Sequence, residues 1–240
     1  MKLTKKKVFV IALAICLIAT LSFSTLAWFN AQDEVKNQFF VADSDDTTAD
    51  DIFSVDVWEP AGEDENGDVI KEQTGLTFRN VVPGAVYKKE PTIENTGYYD
   101  QWIRVIVTVT DRTAWTEVLG QDYDLSNIFV GHDETKWTRY TAPSAGSNDT
   151  LVYVYYYNEI LQGDHGVDGA GESVVLFTDV QLPGELTQDD MVKLAGGFEL
   201  TIKAEAIQSD AIEADNAKAA FESIGWTAGK TYEDAMTANP

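Results

Sequence analysis

Apolar and polar residues alternate with a period of two at several separate places in this 240-residue chain, and that period limits the fold more than any other feature. Successive side chains of an extended strand point to opposite faces, so alternation marks a strand with one face in a core. The clearest run is 102–110, with Ile103, Val105, Val107 and Val109 on one face and Trp102, Arg104, Ile106, Thr108 and Thr110 on the other. In 198–206, Phe198, Leu200, Ile202, Ala204 and Ala206 face in, while Glu199, Thr201, Lys203 and Glu205 face out. In 151–157, Leu151, Tyr153, Tyr155 and Tyr157 share one face, and Val152, Val154 and Tyr156 share the other. Phe53, Val55 and Val57 alternate with Ser54, Asp56 and Trp58, and 174–180 reads as a further strand. Shorter strands are predicted at 128–130 and 137–140; residues 86–93 read as extended, with Pro91 marking an edge or a strand end.

Turn and helix signals punctuate these runs. Asn66-Gly67, inside the polar stretch 63–68, predicts a hairpin because both residues tolerate positive φ, and Val82-Pro83-Gly84 predicts a second turn. Thr187-Gln188-Asp189-Asp190 resembles a capping box with Asp in the Glu position, opening a short helix through Met191 and Leu194 to Gly196. Ala217, Ala220, Phe221 and Ile224 follow helical spacing, with Asp215 as the cap and Gly225 as the stop. Many short strands and two short helices predict an all-β fold, an antiparallel β-sandwich forming one domain over 52–228 with a C-terminal tail, 229–240.

The N-terminus reads differently. Lys2, Lys5, Lys6 and Lys7 precede an apolar run, 8–21, and the small-residue stretch Ser22-Phe23-Ser24-Thr25-Leu26-Ala27 follows. That order is a charged region, an apolar region and a cleavage zone, so residues 1–27 are predicted to be a secretory signal peptide cut between Ala27 and Trp28. Two alternatives compete with cleavage. An uncleaved leader would act as a membrane anchor, since about 20 apolar residues span a bilayer, but the Ser/Thr-rich end argues for cleavage. Lipidation at Cys16 conflicts with the bulky Ile15 before it. Four of the 17 basic residues leave with the leader, so the remaining 213 residues carry 13 basic and 40 acidic side chains, a net charge of −27 against −23 for the whole chain. The lone cysteine leaves too, which excludes a disulfide framework. The acidic excess argues against nucleic acid as a partner, because phosphates need clustered Lys and Arg.

Residues 28–51 read as an N-terminal arm and acidic loop. Trp28, Phe29, Val35, Phe39, Phe40 and Val41 are apolar but spaced by polar residues, with no obvious partner in the same chain. Five Asp among residues 43–51 repel one another and favour a solvated loop.

Catalytic patterns are missing from the sequence. There is no H-E-x-x-H zinc helix, no G-x-S-x-G elbow and no phosphate-binding Gly loop. His132 and His165 lie in loops and are read as exposed loop histidines. No enzyme activity, no metal and no cofactor are therefore expected. Calcium is the one ion with any signal. The stretch Asp64-Glu65-Asn66-Gly67-Asp68 looks like an EF-hand start, but Gly62 and Gln73 occupy the two anchor positions, so the hairpin reading prevails. The Gly-rich loop 164–172 offers carboxylates on flexible backbone, a single weak copy of a Ca²⁺ pattern. The Tyr153/Tyr155/Tyr157 face reads first as sheet support and second as a carbohydrate or partner platform.

Several segments together resemble the TasA/camelysin family of secreted biofilm-matrix fibre proteins. They are the leader end Thr25-Leu26-Ala27-Trp28-Phe29-Asn30; Val82-Pro83-Gly84; Ile93-Glu94-Asn95-Thr96-Gly97; Trp102-Ile103-Arg104-Val105; and the run Ala204-Glu205-Ala206-Ile207-Gln208. Residues 111–171 carry no matching motif. The resemblance implies a jelly-roll-like sandwich, release by a SipW-type signal peptidase, and a secreted, extracellular-matrix or cell-surface location on a bacterium. It also implies a homopolymer or related fibre subunits as partners, assembled by donating the arm as a strand to a neighbour. Membrane contact would run only through an uncleaved leader. Some members of that family are described as metallopeptidases, and this chain lacks the zinc motif for that chemistry. The rival reading is a secreted or anchored β-sandwich module that binds a surface ligand.

Overall fold

The computed structural model describes residues 30–34, 53–73, 75–76, 78, 81–140, 144–145, 149–167 and 171–226. The predicted leader, the cleavage pair Ala27 and Trp28, the arm residues Phe29, Val35, Phe39, Phe40 and Val41, and most of the acidic loop lie outside them. In chain order the elements are β1 (Asn30–Glu34), β2 (Val55–Glu63), β3 (Val69–Glu72), β4 (Val86–Lys88), β5 (Thr92–Asn95), β6 (Gln101–Val109), α1 (Arg112–Leu119), β7 (Phe129–Val130), β8 (Trp137–Arg139), β9 (Ser144–Ala145), β10 (Leu151–Tyr157), β11 (Ser173–Val175), β12 (Asp179–Gln181), α2 (Gln188–Lys193), β13 (Leu200–Gln208) and α3 (Ala217–Ser223). Short 3-10 turns occupy Leu125–Ile128 and Ser209–Ala211.

Every named strand pairing is antiparallel. The largest sheet runs β1-β13-β6-β10-β8, with β9 also on β10; a second runs β11-β5-β2-β3 and a third β4-β12-β7. The inward residues of β6, β10 and β13 (Ile103, Val105, Val107, Tyr153, Tyr155, Ile202) meet Val55, Val57 and Ile93 of the second sheet and Phe129 and Val180 of the third in one apolar cluster. The molecule is therefore an all-β sandwich, and the alternation in 102–110 and 198–206 points the residues it predicted into that core.

β10 keeps its predicted limits, β6 begins and ends one residue earlier and β13 two residues later than predicted, and larger departures lie elsewhere. Residues 174–180 do not form one strand: Leu176 and Phe177 are both fully buried, the chain bends there, and β11 joins the second sheet while β12 joins the third. Residues 86–93 break likewise between β4 and β5, with Pro91 at the break. The turn at 82–85 is closed by Ala85 N–H donating to Val82 O at 3.3 Å, and β2 and β3 form the predicted hairpin around Asn66-Gly67.

The helices number three among the described residues, one more than predicted. The Thr187 box is present in both directions: Asp190 N–H donates to Thr187 Oγ1 at 3.3 Å, and Thr187 N–H to Asp190 Oδ2 at 3.0 Å. α3 is capped by Asn216, not by the predicted Asp215; Ala219 N–H donates to Asn216 Oδ1 at 2.9 Å. At its other end Gly225 takes φ 84°, a conformation that costs a residue with a Cβ, and lets Trp226 N–H reach Phe221 O at 2.9 Å. The extra helix, α1, receives its cap from a distant loop. Asp149 Oδ1 accepts from Thr113 N–H at 3.0 Å, whereas the adjacent Asp111 makes no cap bond.

Candidate functional site

The feature the sequence marked for function is the arm, and its described part is β1. Residues 30–34 pair with β13 of the same chain, from Asn30 opposite Ile207 to Glu34 opposite Lys203. This corrects the expectation that the arm has no partner in its own chain. The physical reason is the free edge of β13. That strand bonds β6 along its full length, from Leu200 opposite Val109 to Gln208 opposite Gln101, and its other side would expose a row of unpaired N–H and C=O groups. A strand laid there satisfies those groups through backbone alone, so a polar sequence such as Asn30-Ala31-Gln32-Asp33-Glu34 suffices.

The outward face of the same strands is closed, not solvated. Trp102, Ile106, Val154, Tyr156 and Ile207 form a second apolar cluster with Ala217, Ala220 and Phe221 of α3 and with Trp226. Arg104 and Glu205, opposite one another in the β6–β13 register, lie beneath it at 0% exposure. Arg104 Nε donates to Glu205 Oε2, Nη1 donates to Trp226 O at 3.0 Å, and the guanidinium carbon stands 4.8 Å from the Phe221 ring centre and 5.2 Å from that of Trp226. The outward direction predicted for Glu205 holds, but α3 takes the place of water.

At one end of the sandwich Asn95 joins four segments. Fully buried, its Nδ2 donates to Tyr99 O and Leu161 O, both at 2.9 Å, and its Oδ1 accepts from Gly97 N–H at 3.0 Å and Gln101 Nε2 at 2.9 Å. All four bonds of the amide are met, the condition under which a buried polar group rigidifies a fold. Gly163 follows the same junction so closely that a Cβ there would stand 2.3 Å from Tyr98 O.

The remaining candidates disperse. Tyr153, Tyr155 and Tyr157 point into the core at 2%, 2% and 5% exposure, which removes them as a surface platform. Burial pushes the Tyr153 and Tyr157 phenols up to about 12 and raises Tyr155 as well. His132 is half-buried, not exposed; its Nδ1 sits 3.0 Å from Leu176 O, which only accepts, so Nδ1 carries the proton. His165 is exposed, with Nε2 3.0 Å from Asp100 Oδ1. Asp64 organises the hairpin turn by accepting from Asn66 N–H at 2.8 Å and Asp68 N–H at 3.0 Å, and those backbone bonds hold its carboxyl below the usual range. At Asp124 burial pushes the carboxyl up, but hydrogen bonds from Arg139 and Ser126 outweigh it and the net direction is down.

Among the described residues no group of three or more His, Cys, Asp or Glu is placed to hold a metal ion, and no helix is long and apolar enough to cross a membrane. A cleft of about 270 Å³ beside α1, lined by Arg112, Trp115, Thr116, Tyr123 and Tyr153 among others, holds Tyr153 alone of the residues the sequence marked for function. The sequence missed Asn95 as a junction and Arg104–Glu205 as a buried pair. The Asn-x-Gly spacing and the polar positions on β6 and β13 were the available signals. Comparison with protein-family models, curated proteins and solved structures gives no match.

Proposed function

We propose that the chain is a secreted structural protein, a subunit of extracellular biofilm-matrix or cell-surface fibres that assemble when the N-terminal arm of one copy supplies a strand to the next. The observation that carries this reading is the seat of β1. It is a short strand at the edge of the largest sheet, paired along its length with β13. Such a strand is exchangeable. The edge of β13 offers the same backbone bonds to residues 30–34 of its own chain or of a second copy, and trading an identical element between copies is a low-cost route to assembly. Head-to-tail exchange does not close on itself, so it extends into a filament. The leader-like N-terminus and the resemblance to secreted fibre proteins support the same reading, as does the net charge of −27 left once the leader is lost, which keeps free subunits apart until salt relieves the repulsion.

The test is deletion of residues 28–41 from the secreted chain. Electron microscopy and sedimentation should find a folded monomer that forms no fibres, and a synthetic peptide of residues 28–41 should bind it. Fibres of normal length from the deleted chain would overturn the proposal.

A further inference from the structure

Two cations are buried among the described residues, Arg104 and Lys89, and only Arg104 is well supplied with partners. Lys89 follows β4, and its backbone N–H is tied to Thr178 O at 3.2 Å. Its Nζ contacts Oε1 of Glu59, which shares the inward face of β2 with Val55 and Val57. The two side chains are 8% and 1% exposed, and Glu59 Oε2 has no hydrogen-bond partner among the described residues. An ammonium brings three donors and a carboxylate two acceptor oxygens, so one contact leaves much of this buried pair unmet. A buried ion pair repays its desolvation only when the remaining donors and lone pairs are satisfied.

From this geometry we infer that Glu59 and Lys89 condense to an amide, a covalent link between the second and third sheets. The proton balance is internal. The step runs through the neutral amine and the carboxylic acid, so one proton passes from Lys89 Nζ to the Glu59 carboxylate it contacts. The neutral amine then attacks Cδ, a C–N bond forms, the C–OH bond breaks, and the hydroxyl leaves with one amine proton as water. No oxidant, reductant or second substrate is needed. The product keeps one oxygen and one N–H, so the unpartnered oxygen and the surplus donors leave together. Contact of Nζ with the Glu59 carboxylate supplies the proximity for an intramolecular condensation, and the near-complete burial of both side chains limits the access of water for hydrolysis back. The link would span thirty positions of sequence, closing β2, β3 and β4 into one covalent loop.

Intact-mass spectrometry of the denatured full chain, referenced to the N-terminus read on the same sample, decides the matter. The expected mass is lower than the sequence mass by one water, with the loss mapped to a branched peptide joining residues 59 and 89. K89A should return to its full sequence mass. E59Q, which can lose ammonia instead of water, should reach the same final mass as the linked wild type. A wild-type chain at full sequence mass, or a water lost at any other position, overturns the link.

Discussion

The two faces of the central sheet are both buried, yet they are closed by different means. The inner face of β6, β10 and β13 is apolar or aromatic and meets two further sheets, so its burial is shared among many residues. The outer face carries Arg104 and Glu205 among its apolar residues and is closed by one seven-residue helix and Trp226. A helix that short does not persist alone in water. It stays because Ala217, Ala220 and Phe221 are fully buried against the sheet, and because the ion pair beneath it finds the Trp226 carbonyl. A charged residue at an outward position of an alternating strand therefore marks the face, not its exposure. Whether water or protein covers it is decided by an element encoded far along the chain.

The largest expected effect comes from breaking the outer pair. R104A leaves the Glu205 carboxylate buried without its main partner, and such changes cost about 3–5 kcal/mol. Chemical denaturation should show that loss, and E205A should show one of similar size. The double replacement R104M/E205L removes both charges and should recover most of the stability, since well-packed apolar residues replace buried pairs at little cost. A double variant as unstable as R104A would mean that the pair holds α3 in place by more than mutual charge.

On the inner face the probe is ionisation. Tyr153 and Tyr157 are held at about 12 and Tyr155 is also raised, in each case chiefly because burial disfavours the phenolate. In the unfolded chain these groups ionise near the ordinary value of 10.0. The raised folded value means that their contribution to stability is fully present below pH 10 and is lost as pH rises through about 12. Absorbance titration should show these phenols ionising above the ordinary tyrosine value and together with unfolding. Titration of Tyr153, Tyr155 and Tyr157 near 10 with the fold intact would show that the inner face admits water.

How much of this was legible depended on where each signal lay. β6, β10 and β13 were readable because their alternation is local and their core face continuous. The cap of α2 was readable because both partners, Thr187 and Asp190, sit within one turn. α1 was not, because its cap comes from Asp149, 36 positions away, while Asp111 beside it is held at φ 62° and caps nothing. β1 was unreadable for a different reason. Asn30–Glu34 has almost no apolar content, and its strand character is imposed by the free edge of β13. Of the candidate site, the arm's polar centre falls within the described residues and its apolar residues do not, so the pairing is seen at residues that pattern alone would leave as loop.

The smallest effect separates the faces most cleanly. Asn216 caps α3 by accepting Ala219 N–H at 2.9 Å, and it touches neither the ion pair nor the inner core. Replacing such a cap with alanine costs about 1 kcal/mol. N216A should lower global stability by no more than that, yet the loss falls on the one helix that closes the outer face. Amide exchange should therefore quicken at Ala220 and Trp226, whose N–H groups bond Asn216 O and Phe221 O, while Val105 and Val107 at the centre of β6 keep their protection. Equal quickening at both sets would mean that the two faces open as a single unit. Selective quickening would identify α3 as a cover that lifts while the sandwich stays closed, and would place the outer face at the low end of the molecule's local stability.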